Sequence, residues 1–174
     1  EYVPLDAVLL LWSQLFQTNP EAIDEIGEDV EASALYKRAW CISEAFIHLG
    51  LFSIREEGDS LFVKLHHQLY VIYGLSLVPE VQPEDSESVE TIARWHNCFV
   101  LGYNERHKVV KTERLEDLCR PYALKKLITH MIEAKSIPKV IEKLKDDRFC
   151  RERLKTFGWM KGARLHIDDC IMLK

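Results

Sequence analysis

The sequence is short of several features, and each shortage excludes something. Its five cysteines (Cys41, Cys98, Cys119, Cys150 and Cys170) are odd in number and form no C-x-x-C pair. They spell neither a disulfide framework nor a paired zinc knuckle, and read as reduced thiols. Only 7 Gly and 6 Pro occur among 174 residues, which excludes collagen-like repeats and low-complexity disorder. The apolar run near the start, Ala7 to Trp12, falls far below the roughly 20 residues of a membrane span. Glu1, Pro4 and Asp6 occupy the place of a basic leader region, so a cytoplasmic protein without a signal peptide is expected. Positive charge is in deficit, with 23 Lys and Arg against 28 Asp and Glu and a net charge of −5. Such a chain is poorly suited to general electrostatic binding of nucleic acid or anionic membrane.

Catalytic signatures are also missing. There is no G-x-x-x-x-G-K-[ST] phosphate cradle, no G-x-G-x-x-G, no G-x-S-x-G and no H-E-x-x-H. The chain is therefore expected not to be an enzyme, with no catalytic residues of its own. The acidic stretches Glu21–Glu31 and Glu80–Glu90 read as solvated faces or linkers. His96 and Cys98 make an H-x-C pair, but zinc needs four ligands at paired spacing, so no metal site is expected.

What is present suits one globular domain or two small ones: 47% of residues are hydrophobic and 29% charged. A chain of this size buries roughly 70% of its unfolded surface without a covalent staple. Residues 78–90, VPEVQPEDSESVE, hold two Pro, five acids and two Ser without periodicity. They place a boundary, giving units 1–78 and 91–174 with an acidic linker at 79–90. The chain starts at Glu1, without Met and inside a pattern, so it is expected to be a slice of a longer protein.

In the first unit, Pro4 suits a helix first turn, and Val8, Leu11, Trp12 and Leu15 recur at helical spacing to about Gln17. Asn19 and Pro20 can start a short second helix. A third runs from about Val30 to Leu49, with Leu35, Ala39, Ile42, Phe46 and Leu49 on one face and Gly50 as the stop. Leu51–Arg55 and Leu61–His66 flank a polar turn containing Gly58, which predicts a β-hairpin. Residues from Leu69 to about Leu77 then read as helix. Three helices, a hairpin and a helix make a winged-helix pattern.

The second unit reads as helix throughout. Ile92, Trp95, Phe99 and Tyr103 mark one helix, and Leu115, Leu118 and Tyr122 a second. Pro121 is expected to end that one and begin another through Leu124, Leu127, Ile128 and Met131. Ile137 to Leu144 and Phe149 to Leu165 complete a bundle or array. Trp40, Trp95 and Trp159 are expected in the core.

His66 and His67 fall where the second hairpin strand gives way to a helix. Unpaired backbone N–H groups at a helix start favour anions, and a histidine there can bond a phosphate. The plainer alternative is a solvated histidine capping that helix.

This arrangement resembles the winged-helix and helical-linker region of NB-ARC-type STAND NTPases, the signalling ATPases that include apoptotic protease-activating factor. Pro4-Leu5-Asp6-Ala7-Val8-Leu9-Leu10-Leu11-Trp12 is similar to the family's P-x-x-V-L-x-x-L-W start, and Ala45 to Phe52 to the stretch before its wing. Leu65-His66-His67-Gln68-Leu69 sits at its M-H-D-L motif. Matching the following helix puts His67 on the motif histidine, and matching the preceding strand puts His66 there. The motif Asp is replaced in either register. Ile92-x-x-Trp95-His96-x-x-Phe99, Tyr122 to Lys135, Leu144 to Phe149 and Phe157 to Lys161 look like the helical region of the apoptotic-factor branch. The resemblance implies that His67, or His66, contacts the β-phosphate of ADP held by a P-loop domain elsewhere in a parent protein. It implies ADP or ATP as cofactor of that parent only and none for this chain alone. Implied partners are the P-loop nucleotide-binding domain, a C-terminal repeat sensor and further copies on activation, in apoptotic or immune signalling. The alternatives are a helical protein–protein interaction scaffold and a winged-helix DNA-binding regulator. The second would need basic residues on the third helix and wing, where Lys37, Arg38 and an acidic turn stand.

Overall fold

The structure is a computed structural model that describes residues 2–18, 32–58, 60–66, 86–109 and 113–173. It is mainly helical, with seven helices and a three-stranded antiparallel sheet among the described residues. The winged-helix half comprises β1 (Val3–Pro4), α1 (Leu5–Thr18), α2 (Ala32–His48), β2 (Phe52–Glu57) and β3 (Ser60–Leu65). The helical half comprises α3 (Ser86–Val109), α4 (Glu113–Glu133), α5 (Ile137–Leu144), α6 (Asp147–Phe157) and α7 (Trp159–Met172). The expected short helix at Pro20 and the helix after residue 69 lie outside the described residues.

The hairpin forms in the register that Phe52↔Leu65 and Ile54↔Val63 define, and Gly58 takes a φ of 61° in its turn. A strand that the sequence pattern does not announce adds to it. Val3 and Pro4 pair with Val63 and Phe62, giving the order β1-β3-β2. Pro4 was expected in the first helical turn and lies in this strand instead. An edge strand tolerates a residue with no N–H, so Pro4 can end the strand and hand over to a helix at Leu5. α2 stops as Gly50 requires. Gly50 takes a φ of 68°, its N–H reaches the Ile47 carbonyl, and the Leu51 N–H reaches that of Phe46.

α1 explains how the two halves meet. Leu5 and Leu9 enter a core with Ala39 and Val63, flanked by Trp12, Phe16 and Phe52. Ala7 and Leu10 enter a second core with Phe99, Tyr103, Leu124, Leu127, Ile128, Val140 and Phe149. The run Ala7–Trp12 is apolar nearly all round because the helix is buried on two sides. Gly102 of α3 permits the close crossing: a Cβ there would stand 2.8 Å from the Leu10 carbonyl oxygen and 3.0 Å from Gln14 Cγ. Gly102→Ala is therefore expected to cost about 1–3 kcal/mol, read as a lower urea midpoint with an unchanged m-value.

Three sequence expectations are corrected by packing. α4 runs through Pro121 without a break. Pro121 is on the exposed face, while its neighbours Cys119, Ala123 and Leu124 are fully buried and hold the helix in place. α3 starts at Ser86, inside the expected 79–90 linker; residues 79–85 lie outside the described residues. Trp40 and Trp159 are not core residues, being 43% and 72% exposed, and Leu49 and Met160 are also exposed. The buried face of α7 carries Gly162 and Asp169 instead. A Cβ on Gly162 would meet the Arg153 carbonyl oxygen at 2.9 Å, so α6 and α7 cross too closely for a larger residue.

Candidate functional site

His66 sits at the open end of the hairpin, just past β3, and is exposed. Its N–H donates to the Leu51 carbonyl oxygen at 2.8 Å, closing the base of the wing. Its Nδ1 lies 2.8 Å from Ser53 Oγ on β2. That bond orients the ring and leaves Nε2 with no hydrogen-bond partner among the described residues. A histidine held this way can offer one directed hydrogen bond to an oxyanion. His67 and the helix expected after it lie outside the described residues. Around the wing, Arg55 pairs with Glu57, Glu56 is exposed, and the Arg38 guanidinium lies 5.8 Å from the Phe16 ring centroid.

A second constellation was not anticipated from sequence. On α3 and α4, His96 Nδ1 lies 2.8 Å from His130 Nδ1, and His130 Nε2 lies 3.1 Å from the Tyr122 hydroxyl. Phe99 packs on His130 with ring centroids 4.3 Å apart and meets Tyr122 edge-on at 5.5 Å. One proton must lie between the two Nδ1 atoms. Either Tyr122 donates to His130 and His130 to His96, or the chain runs the other way. Two imidazolium rings would put two N–H groups face to face. Burial accordingly lowers the pKa of His130 to about 4, helped by His96 and Lys126, and burial lowers that of His96 against the pull of Glu133. Burial thus favours the neutral form of both rings.

This cluster forms the polar end of a half-open cavity of about 200 Å3. Val3, Ala7, Val8 and Leu11 supply one wall, and Trp95 and Phe99 another. The cavity thus lies where the N-terminal strand and α1 cross the helical half.

The H-x-C pair weighed from the sequence does not assemble. Residues two apart on a helix point to different sides, so Cys98 is buried away from the His96 bond. The spacing that matters is His96 with Phe99 on α3 and Tyr122 with His130 on α4. Only the packing of the two helices turns it into a site. Cys150 Sγ lies 3.7 Å from His166 Nδ1. Burial raises the Cys150 pKa, so the group is a thiol and not an activated thiolate. Among the described residues no three His, Cys, Asp or Glu side chains gather where a metal ion could bind, and no helix is long and apolar enough to cross a membrane.

The described residues form a mainly α chain with a small three-stranded antiparallel sheet beside its N-terminal helices. No family model, curated protein or solved structure matches it.

Proposed function

We propose that this chain is the non-catalytic regulatory part of a STAND-type ATPase switch. In it the winged-helix unit meets the nucleotide phosphates of a P-loop domain, and the helical array carries the movement to a C-terminal sensor. One observation carries this reading: α1 places one face in each of two cores, so the wing and the helical array are tied through a single helix. A lever needs that coupling, since a flexible joint would dissipate the displacement at one end before it reached the other. The fixed orientation of His66 supports the phosphate contact, and His67 remains the alternative motif histidine.

A charge-assisted hydrogen bond contributes roughly 1.5–3 kcal/mol. It biases a closed, ADP-bound state only by the amount by which it is lost in the open one. In a protein carrying the P-loop domain, His66→Ala and His67→Ala are to be made separately and co-purified ADP measured. One of the two is expected to weaken ADP retention about 10- to 100-fold. Unchanged occupancy in both would refute the proposal, as would ATP turnover by this chain alone.

A helical interaction scaffold is the second reading, favoured by the outer face of α7. There Met160, Ile167 and Ile171 recur at helical spacing and are exposed, beside exposed Trp159. Replacing Ile167 and Ile171 by Lys should then abolish self-association or partner capture without lowering stability.

A further inference from the structure

We propose that the cavity between α1, α3 and α4 is a binding site for a small uncharged ring compound carrying one hydroxyl group, held by His96 Nε2. This goes beyond the switch reading and does not depend on it.

Size comes first. An apolar cavity of roughly 150 Å3 is known to admit benzene. The cavity here measures about 200 Å3, which leaves room for a single ring with one or two substituents. Its walls are aliphatic and aromatic: Val8 and Leu11 from α1 face Trp95 and Phe99 from α3. Such walls reward burial of a flat apolar body.

The polar end sets the chemistry. His96 Nδ1 and both nitrogens of His130 are already engaged in the chain that ends at Tyr122. His96 Nε2 has no hydrogen-bond partner among the described residues. His96 is half-buried and lines the cavity, so its free ring nitrogen is available to a ligand that enters there. Because the cavity is half-open, solvent satisfies this nitrogen when no ligand is bound. A hydroxyl attached to an apolar ring satisfies it while the ring displaces the water. The direction of the bond adapts to the ligand. With Tyr122 donating toward His130, His96 presents N–H; with the chain reversed, it presents a lone pair. A hydroxyl is both donor and acceptor and suits either state.

Charge excludes the alternatives. Burial lowers the pKa of both imidazoles and so disfavours the cationic form that a carboxylate or phosphate would need. Lys126 and Glu133 stand near the pair with opposite charges and offset one another.

The test is protein-observed NMR titration of the full chain with three probes of matched size: p-cresol, toluene and benzoate. p-Cresol is expected to shift the amide resonances of Val8, Leu11, His96 and Phe99 with a Kd on the order of 1 mM. Toluene should bind at the same residues about tenfold more weakly, and benzoate should not bind. His96→Phe should bring p-cresol down to the affinity of toluene. Val8→Phe, which fills the cavity from the α1 side and leaves the histidine pair untouched, should abolish both. Equal affinity for p-cresol and toluene would overturn the proposal. So would p-cresol binding that survives Val8→Phe, shifts confined to residues away from the cavity, or no shifts at all.

Discussion

Replacing Asp169 by leucine is expected to destabilise the chain by about 3–5 kcal/mol. Arg153 is fully buried at 0% exposure and Asp169 nearly so at 4%. The guanidinium Nη2 stands 2.5 Å from Asp169 Oδ2, Nε donates to the Leu124 carbonyl oxygen at 2.7 Å, and the group lies over the Phe149 ring at 4.4 Å. Arg153 thus links α4, α6 and α7 through one side chain. An arginine cannot shed its proton, so Asp169→Leu leaves a buried charge without its counter-ion. Burial pushes the Asp169 pKa up while Arg153 pulls it down, which marks the pair as costly to desolvate. The double variant Arg153→Met, Asp169→Leu removes both charges and should recover at least half of the single-variant loss. Chemical denaturation of the wild type, the two singles and the double gives the coupling directly. A double variant as unstable as Asp169→Leu alone would show that the leucine's shape, and not the orphaned charge, is the cause.

Stability is expected to fall as the pH drops from about 6.5 to 4, by up to about 3 kcal/mol from His130 alone. The folded state holds the His130 pKa at about 4, against an ordinary value of 6.5. Below 6.5 the unfolded chain takes up a proton that the folded chain refuses, so the unfolded state gains. The contribution is fully present above the unfolded pKa and is exhausted once the pH passes below 4. His96, also lowered, adds in the same direction. Asp6 and Asp169, whose pKa values burial raises, act in the opposite sense and favour the folded state as the pH falls. His130→Gln removes the imidazole and leaves the carboxylates in place. The urea midpoints of wild type and His130→Gln should therefore converge as the pH goes from 7.5 to 4.5. Parallel profiles would show that His130 titrates normally in the folded chain.

Much of the fold was legible because it depends on local patterns. The spacing of Val8, Leu11 and Trp12 marked α1, Gly50 marked the end of α2, and the two β-rich runs around Gly58 marked the hairpin. What misled was the inward face at particular positions: Trp40 on α2, Leu49 just past its end and Trp159 on α7 are exposed. On α7, Met160 is exposed as well. The inward face of α7 is set by Gly162, which alone fits against α6, and by Asp169, which answers Arg153. Similarly, the Pro121 break failed because a helix break is a local preference worth about 3 kcal/mol, and the burial of Cys119, Ala123, Leu124, Leu127 and Ile128 on the same helix outweighs it.

The candidate sites divide along the same line. His66 was visible because it lies at the end of a strand that its own hairpin partner positions, and Ser53 is its neighbour across two adjacent strands. The His96–His130–Tyr122 chain was not visible. Its members come from two helices, 34 residues separate the two histidines, and nothing in either helix alone says that they meet.

The sequence by itself determined a mainly helical chain with a hairpin, no P-loop motif among its residues and a net negative charge, since composition and short-range periodicity carry those properties. Tertiary structure decided that α1 belongs to two cores, that a buried ion pair holds α7, and that two histidines share a proton beside an apolar cavity. Those features rest on contacts between distant segments, where close packing and desolvation, not local propensity, choose which side chains meet.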